Sequence, residues 1–119
     1  MAKTLLVHLR SGSMMNMDSN VAVKLMSAAL DKGYNVRLFG YGEGITVIKE
    51  GQDPKRFPNV GKEITKLAER GATIVVCETC CAARGIHRGE EIKGSKIGSL
   101  TNELSKFVAE ADRIVTLAR

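Results

Sequence analysis

The chain has 119 residues and a net charge of +5, with 44% hydrophobic and 26% charged residues. This composition is typical of one globular domain spanning residues 1–119, which can bury enough apolar surface to fold without disulfides. Only 4% of the residues are aromatic, and the basic residues form no dense block. We therefore expect no nucleic-acid-binding platform; the basic surface suits anionic substrates or an acidic partner.

The location of the protein is predicted from its termini and its cysteines. No segment reaches the roughly 18 consecutive apolar residues of a membrane span. The N-terminal residues lack the pattern of a signal peptide. The 3 cysteines are odd in number and clustered, which is not a disulfide framework. We therefore expect a protein of the reducing cytoplasm, where such thiols are usually reactive or metal-binding.

The first predicted strand is Thr4–Leu9, an apolar run interrupted only by His8. A continuous apolar run of this length predicts a central strand that is buried on both faces. A polar turn at residues 10–13 and a loop rich in methionine at residues 14–17 follow.

A long helix is expected next, with Asp18 or Ser19 as its cap and Gly33 at its end. Its predicted buried face repeats at helical spacing and consists of Ala22, Leu25, Met26 and Ala29. The second strand is predicted at residues 35–39, and a glycine-rich turn at residues 40–44 follows it.

The middle of the chain begins with residues 45–49, whose composition favours a strand but also allows a short helix. Two prolines make residues 51–58 a loop. Asn59 is expected to cap a second long helix that closes at Gly71. The predicted buried face of that helix is formed by Val60, Ile64, Leu67 and Ala68.

The last part of the chain starts with a strand at residues 73–76, which leads directly into Cys77. Residues 86–95 read as a surface loop and residues 96–98 as a brief fourth strand. Ser99 is expected to cap the final helix, and residues 113–117 form the final strand. The predicted inner face of the final helix consists of Leu100, Leu104, Phe107, Val108 and Ala111.

Strands and helices alternate throughout the chain. This order predicts an α/β fold, a three-layer α/β/α sandwich with a mostly parallel sheet of about five strands. In such sheets, ligands and reactive groups gather at the carboxyl ends of the strands. Cys77 is predicted at that edge, where a strand ends and a short helix, residues 79–84, begins.

Cys77 is the strongest candidate for chemistry in this sequence. A nucleophilic cysteine must ionise, and the unpaired N–H groups of a helix start stabilise a thiolate. Arg84, His87 and Arg88 are near enough in sequence to add positive charge, whereas Glu78 opposes ionisation. We therefore expect the Cys77 sulfur to be charged and reachable from solvent at the edge of the sheet.

Cys80 and Cys81 complete the cluster. Cys77 and Cys80 have C-x-x-C spacing, which makes a disulfide or a shared persulfide sterically feasible. Cys81 is rotated away by about 100° on a helix and is expected to pack. Three buried cysteines that only pack, a dithiol redox site, and a metal site with His87 as fourth ligand all stay open. The metal reading fits poorly, because structural zinc sites use two separated pairs, and we expect no metal and no cofactor.

Other candidate site residues lie after the first strand. His8 is near the carboxyl end of that strand, where it is either packed or available as a proton donor or anion contact. Ser11 and Gly12 belong to a turn whose backbone amides can face an oxyanion. The glycine turn at residues 40–44 is not a nucleotide-binding motif, because it lacks the G-x-G-x-x-G spacing.

At the cysteine stretch the sequence resembles the DsrE/DsrF-like family, which includes the TusD-type subunits of bacterial sulfur relays. The specific match is Val76-Cys77 followed, after a short helix, by Arg84-Gly85-Ile86. Residues 5–9, 32–36 and 96–99 also fit, so the likeness extends over nearly the whole chain.

The resemblance implies a small α/β/α domain that assembles as a homo-oligomer, a trimer or a hexamer. It implies a sulfurtransferase or sulfur carrier that holds sulfane sulfur as a persulfide on Cys77 and exchanges it with donor and acceptor proteins. Arg84 matches the family arginine, and Cys80 matches a second cysteine of some members. A non-catalytic assembly subunit is the main alternative function.

Overall fold

One five-stranded sheet carries the fold of this protein, and the computed structural model describes residues 2–118. Its strands are β1 (Thr4–Leu9), β2 (Asn35–Gly40), β3 (Thr73–Cys77), β4 (Ser95–Gly98) and β5 (Arg113–Leu117). Their spatial order is β4-β3-β2-β1-β5, and every neighbouring pair is parallel. The predicted α/β class is confirmed, and all strands end at the same edge of the sheet.

The helices cover the two faces of this sheet. They are α1 (Asp18–Asp31), α2 (Val60–Glu69), α3 (Glu78–Ala83) and α4 (Ser105–Glu110), with a 3₁₀ helix at Gly42–Ile48 and a π-helical turn at Leu100–Leu104. The chain advances from β1 to β4 in one direction and then returns to β5. Right-handed crossovers therefore place α1 and α2 on one face and α4 on the other. No helix within residues 2–118 combines the length and apolarity needed to cross a membrane.

Two of the three predicted helix caps are present. Asn59 Oδ1 accepts the Lys62 N–H at 3.0 Å, and Ser99 Oγ accepts the Asn102 N–H at 2.9 Å. The predicted cap of α1 is wrong, because the cap position is Met17 and its side chain makes no capping bond. Asp18 instead lies in the first turn, where its carboxylate accepts the Ser11 hydroxyl at 2.7 Å.

The ambiguous segment after β2 is a helix and not a strand. The 3₁₀ helix begins at Gly42 and includes Ile45, Val47 and Ile48, all buried. A Cβ atom on Gly44 would lie 2.1 Å from the Leu9 carbonyl oxygen, so a glycine is required where this helix crosses the end of β1. The helix thereby packs its apolar residues onto the core and covers the carboxyl edge of the sheet.

The predicted inner face of the last helix is wrong in part. Phe107 is buried, and its ring packs edge-on against Phe39 at 6.5 Å. Leu100 and Val108, however, are 38% and 46% exposed. The helix begins with a π-helical turn, whose wider winding rotates later residues away from the positions that a regular α-helix would give them. The α-helical part that follows has only 6 residues, and Phe107 is its one buried residue.

Candidate functional site

The cysteines lie at the carboxyl edge of the sheet, as the sequence predicts. Cys77 is the last residue of β3 and also the N-cap of α3. Its sulfur accepts the backbone N–H of Cys80 at 3.5 Å. This contact follows from the local geometry, since an N-cap side chain reaches the amides of the first helical turn. A negative sulfur at this position has a backbone donor already aimed at it.

Cys77 is nevertheless buried, which contradicts the expectation of a reachable sulfur. Only 1% of the residue is exposed. The neighbouring strands β2 and β4 flank the end of β3, and the 3₁₀ helix packs against both β3 and α3. A reagent or a partner can therefore reach this sulfur only after a local movement of the structure.

Cys80 has a second backbone donor, which comes from the loop after β2. The Gly42 N–H donates to the Cys80 sulfur at 3.2 Å. Burial raises the pKa of Cys80, the Gly42 bond lowers it, and a hydrogen bond to the Cys77 thiol raises it further. The net direction is upward, so Cys80 is a protonated thiol at neutral pH in the closed structure. The Cys80 N–H that reaches the Cys77 sulfur at 3.5 Å places the two cysteines side by side at the start of α3.

Cys81 packs in the core, as expected from its position on α3. It is 1% exposed, and burial raises its pKa from 9.0 to about 11. A thiol that keeps its proton to such high pH is a poor nucleophile. Cys81 therefore acts as a small apolar side chain.

Arg84 follows α3 and contacts the site through Cys80 and not through Cys77. Its Nη1 donates to the Cys80 carbonyl oxygen at 3.0 Å. Its Nε and Nη2 donate to one carboxylate oxygen of Glu43, at 2.9 Å and 2.8 Å. The hydrogen bond that Arg84 donates to the Glu43 carboxylate raises the pKa of the Arg84 guanidinium. Gly85 has a φ of +72° and ends the helix, as predicted.

His8 lies on β1 among aromatic rings. Its ring centroid is 6.4 Å from that of Phe39 and 6.3 Å from that of Tyr41. Its Nε2 is buried and has no hydrogen-bond partner in the part of the chain that the structure describes. Burial, and then the charge of Arg10, lowers the pKa of His8. His8 is therefore neutral at pH 7, and the packed alternative fits its surroundings.

Ser11 and Gly12 are buried in the turn after β1. The Ser11 hydroxyl is bonded to Asp18, and the following Ser13 N–H donates to Thr46 Oγ1 at 3.1 Å. The predicted oxyanion-binding turn is thus tied into the structure by its own polar groups. Gly12 also borders an open cavity of about 420 Å³. The residues around that cavity are Gly12, Ser13, Met14, Met15, Glu43 and Thr46.

Two site residues, Gly42 and Glu43, are not identified by the sequence reasoning. Both follow β2, and β2 is the neighbour of β3 in the sheet. Because parallel strands end at one edge, the loop after β2 lies beside the loop after β3. The glycine-rich turn at residues 40–44 is the sequence feature that contains both residues, but no local pattern indicates that this turn contacts the cysteines. His87, the fourth ligand in the metal alternative, is exposed, and its backbone N–H donates to the Glu90 carboxylate.

Comparison with models of protein families identifies the relatives of this chain. Residues 4–117 match the model of the DsrE/DsrF-like family. The chain belongs to the DsrE/DsrF-like family. An uncharacterized protein of Methanocaldococcus jannaschii is 35% identical over 95 residues, which cover 80% of this chain and 82% of that protein. Protein YchN of Escherichia coli is 29% identical over 86 residues, covering 72% and 73% of the two chains.

The fold of this DsrE/DsrF-like chain is also found in solved structures. The crystal structure of YchN from Escherichia coli superposes with a TM-score of 0.80 and 27% identity, covering 98% of this chain and 100% of YchN. A protein of unknown function from Methanobacterium thermoautotrophicum has a TM-score of 0.79 over 97% of this chain and 99% of that protein. Its identity is 10%, so this second likeness concerns the fold alone.

Proposed function

We propose that this protein is a sulfur carrier, or sulfurtransferase subunit, that holds sulfane sulfur as a persulfide on Cys77. The observation that carries the proposal is the pair of neighbouring thiols, Cys77 and Cys80, each with a backbone N–H aimed at its sulfur. Membership in the DsrE/DsrF-like family, which includes subunits of sulfur relays, supports the same chemistry.

The transfer needs no net oxidation or reduction. The Cys77 thiolate attacks the outer sulfur of a donor persulfide, the sulfur–sulfur bond of the donor breaks, and the donor leaves as a thiolate. A thiolate of the acceptor protein then attacks the outer sulfur on Cys77, and Cys77 is released as a thiolate. If Cys80 attacks the inner sulfur instead, a Cys77–Cys80 disulfide forms and hydrosulfide leaves.

Burial of Cys77 places a condition on this mechanism. A donor must come within bonding distance of a sulfur that is 1% exposed. Loading therefore requires that α3 and the 3₁₀ helix separate, by thermal opening or on contact with the donor protein. The same closure keeps water and small thiols away from a persulfide once it has formed.

The test is the intact mass of the protein after incubation with inorganic polysulfide. The wild-type chain is expected to gain about 32 Da, one sulfur atom, and the Cys77→Ser variant is expected to gain nothing. Serine at this N-cap can accept the Cys80 N–H, so the fold is retained. Cys81→Ala serves as the control and keeps the adduct. An adduct of the same size on the Cys77→Ser variant refutes the proposal.

The closeness of the two thiols also favours a second candidate, a dithiol redox protein. That activity predicts a loss of about 2 Da on mild oxidation, as the Cys77–Cys80 disulfide forms, and reduction of an artificial disulfide substrate. The burial of all three cysteines favours a third candidate, a non-catalytic assembly subunit. That candidate predicts neither a sulfur adduct nor a disulfide in the folded protein.

We further propose that the chain works as a homo-oligomer, a trimer or a hexamer, in the cytoplasm. Val108 on α4 and Ile114 on β5 are 46% and 47% exposed, and β5 is an edge strand. Apolar side chains exposed on an edge strand mark a surface for association. Sedimentation velocity is expected to give a trimeric or hexameric mass, shifted toward the monomer by Ile114→Lys. A monomeric wild-type protein contradicts the proposal.

A further inference from the structure

The buried cysteines are covered by the junction of two short elements. The 3₁₀ helix Gly42–Ile48 follows β2, and α3 follows β3, so the two meet above the carboxyl edge of the sheet. Polar contacts join the two elements. The Gly42 N–H holds the Cys80 sulfur at 3.2 Å, and Arg84 holds Glu43.

Arg84 is the centre of this junction. Its Nε and Nη2 hold the carboxylate of Glu43 on the 3₁₀ helix, and its Nη1 holds the Cys80 carbonyl on α3. One guanidinium therefore joins both elements beside Cys80. The rigid, planar fork of an arginine is suited to this role, whereas a lysine can fill only one of the positions.

The Glu43–Arg84 pair stands at the surface. The Arg84 side chain is 32% exposed and the Glu43 side chain 52% exposed, whereas Cys77 beneath the junction is 1% exposed. A pair in contact with water is weak and sensitive to salt. Such a pair can hold the junction closed, and breaking it costs little free energy. An apolar contact of similar area would cost more to break.

We propose that Glu43 and Arg84 form a latch between the 3₁₀ helix and α3 that controls access to Cys77 and Cys80. Both are positioning residues, since they act on the thiols through the backbone elements that they join. The latch gives the sealed site a means of opening to a donor. This inference rests on the proposed function in one respect only, which is that the exposed Cys77 thiol would then accept sulfur.

The experiment measures the alkylation rate of each cysteine in the folded protein with iodoacetamide, a neutral reagent. Tandem mass spectrometry separates the adjacent Cys80 and Cys81. Glu43→Ala is expected to speed the labelling of Cys77 and Cys80 by about two- to fivefold. In the wild-type protein, raising salt from about 0.1 M to about 1 M is expected to give a similar increase, because the Debye length falls to about 3 Å.

Three comparisons make this result specific to the latch. Salt is expected to have no further effect on the labelling of Cys77 in Glu43→Ala, because the pair is already gone. Glu110→Ala, which removes a similar ion pair with Arg37 elsewhere on the surface, is expected to label as slowly as the wild type. The double variant Glu43→Ala/Arg84→Ala is expected to label no faster than Arg84→Ala alone.

Three outcomes would overturn the latch. They are equal labelling rates in Glu43→Ala and wild type, a salt effect that persists in Glu43→Ala, and an increase explained by a lower midpoint of urea unfolding. The salt series on the wild type becomes specific to the latch when the same series on Glu43→Ala stands beside it. Because alkylation uses no sulfur donor, the latch and the persulfide proposal can fail separately.

Discussion

The cysteines that begin at the last residue of β3 and the methionines that follow β1 lie at the carboxyl ends of two strands of the same sheet, yet their environments are opposite. Cys77 and Cys81 are each 1% exposed, whereas Met14 and Met15 are 59% and 51% exposed. The 3₁₀ helix covers the first group, and nothing of comparable size within residues 2–118 covers the second.

The difference shows what decides the environment of sulfur here. Thiols and thioethers are both weakly polar and pack readily, so residue type does not separate them. The cysteines are held on regular backbone, at a strand end and on a helix, with a second element packed above them. The methionines lie in a loop that borders an open cavity. The methionines form an exposed apolar surface beside the site, whereas the cysteines are buried.

The largest effect on stability is expected when a serine replaces one buried cysteine, and an exposed methionine provides the matched change. Cys81→Ser puts a hydroxyl into the core, where burial without a partner costs about 2 kcal/mol of unfolding free energy. Met15→Ser is the matched change at the exposed site and is expected to alter stability by less than about 0.5 kcal/mol. Urea unfolding of both variants measures the two effects. Equal losses would mean that the methionine loop is packed as firmly as the cysteines.

A smaller effect is expected from pH, because the thiol of a cysteine can lose a proton and the thioether of a methionine cannot. The pKa of Cys81 is raised from 9.0 to about 11, so between these values the unfolded chain loses a proton that the folded chain keeps. Stability from this group is therefore full below pH 9.0 and is lost as pH rises through about 11. We expect a decrease of about 1 kcal/mol by about pH 10, midway through this range, because there the unfolded thiol is mostly ionised and the folded one is not.

Denaturant unfolding at increasing pH checks this prediction, and Cys81→Ala provides its control. The alanine variant lacks the titrating thiol and should lose stability less steeply over the same pH range. Cys80 adds to the decrease with the same sign, since burial raises its pKa as well. A stability that rises through this range would show that Cys81 is ionised in the folded protein and not packed.

Local sequence patterns determined most of the elements of this protein. Apolar runs marked the buried strands, helical spacing marked the core face of α1 and α2, and side-chain geometry marked the caps at Asn59 and Ser99. Each of these signals depends on residues close in sequence, so it can be recognised without a structure. The position of Cys77 at the edge of the sheet followed from the alternation of strands and helices in the same way.

Tertiary structure alone decided how the site is closed. The contact of Gly42 with Cys80 spans 38 residues and that of Glu43 with Arg84 spans 41, and both depend on β2 lying beside β3. The burial of Cys77 and the π-helical turn that exposes Val108 depend likewise on how separate elements pack. Sequence periodicity carries no information on such pairings, because they are selected by the free energy of the whole packed sheet.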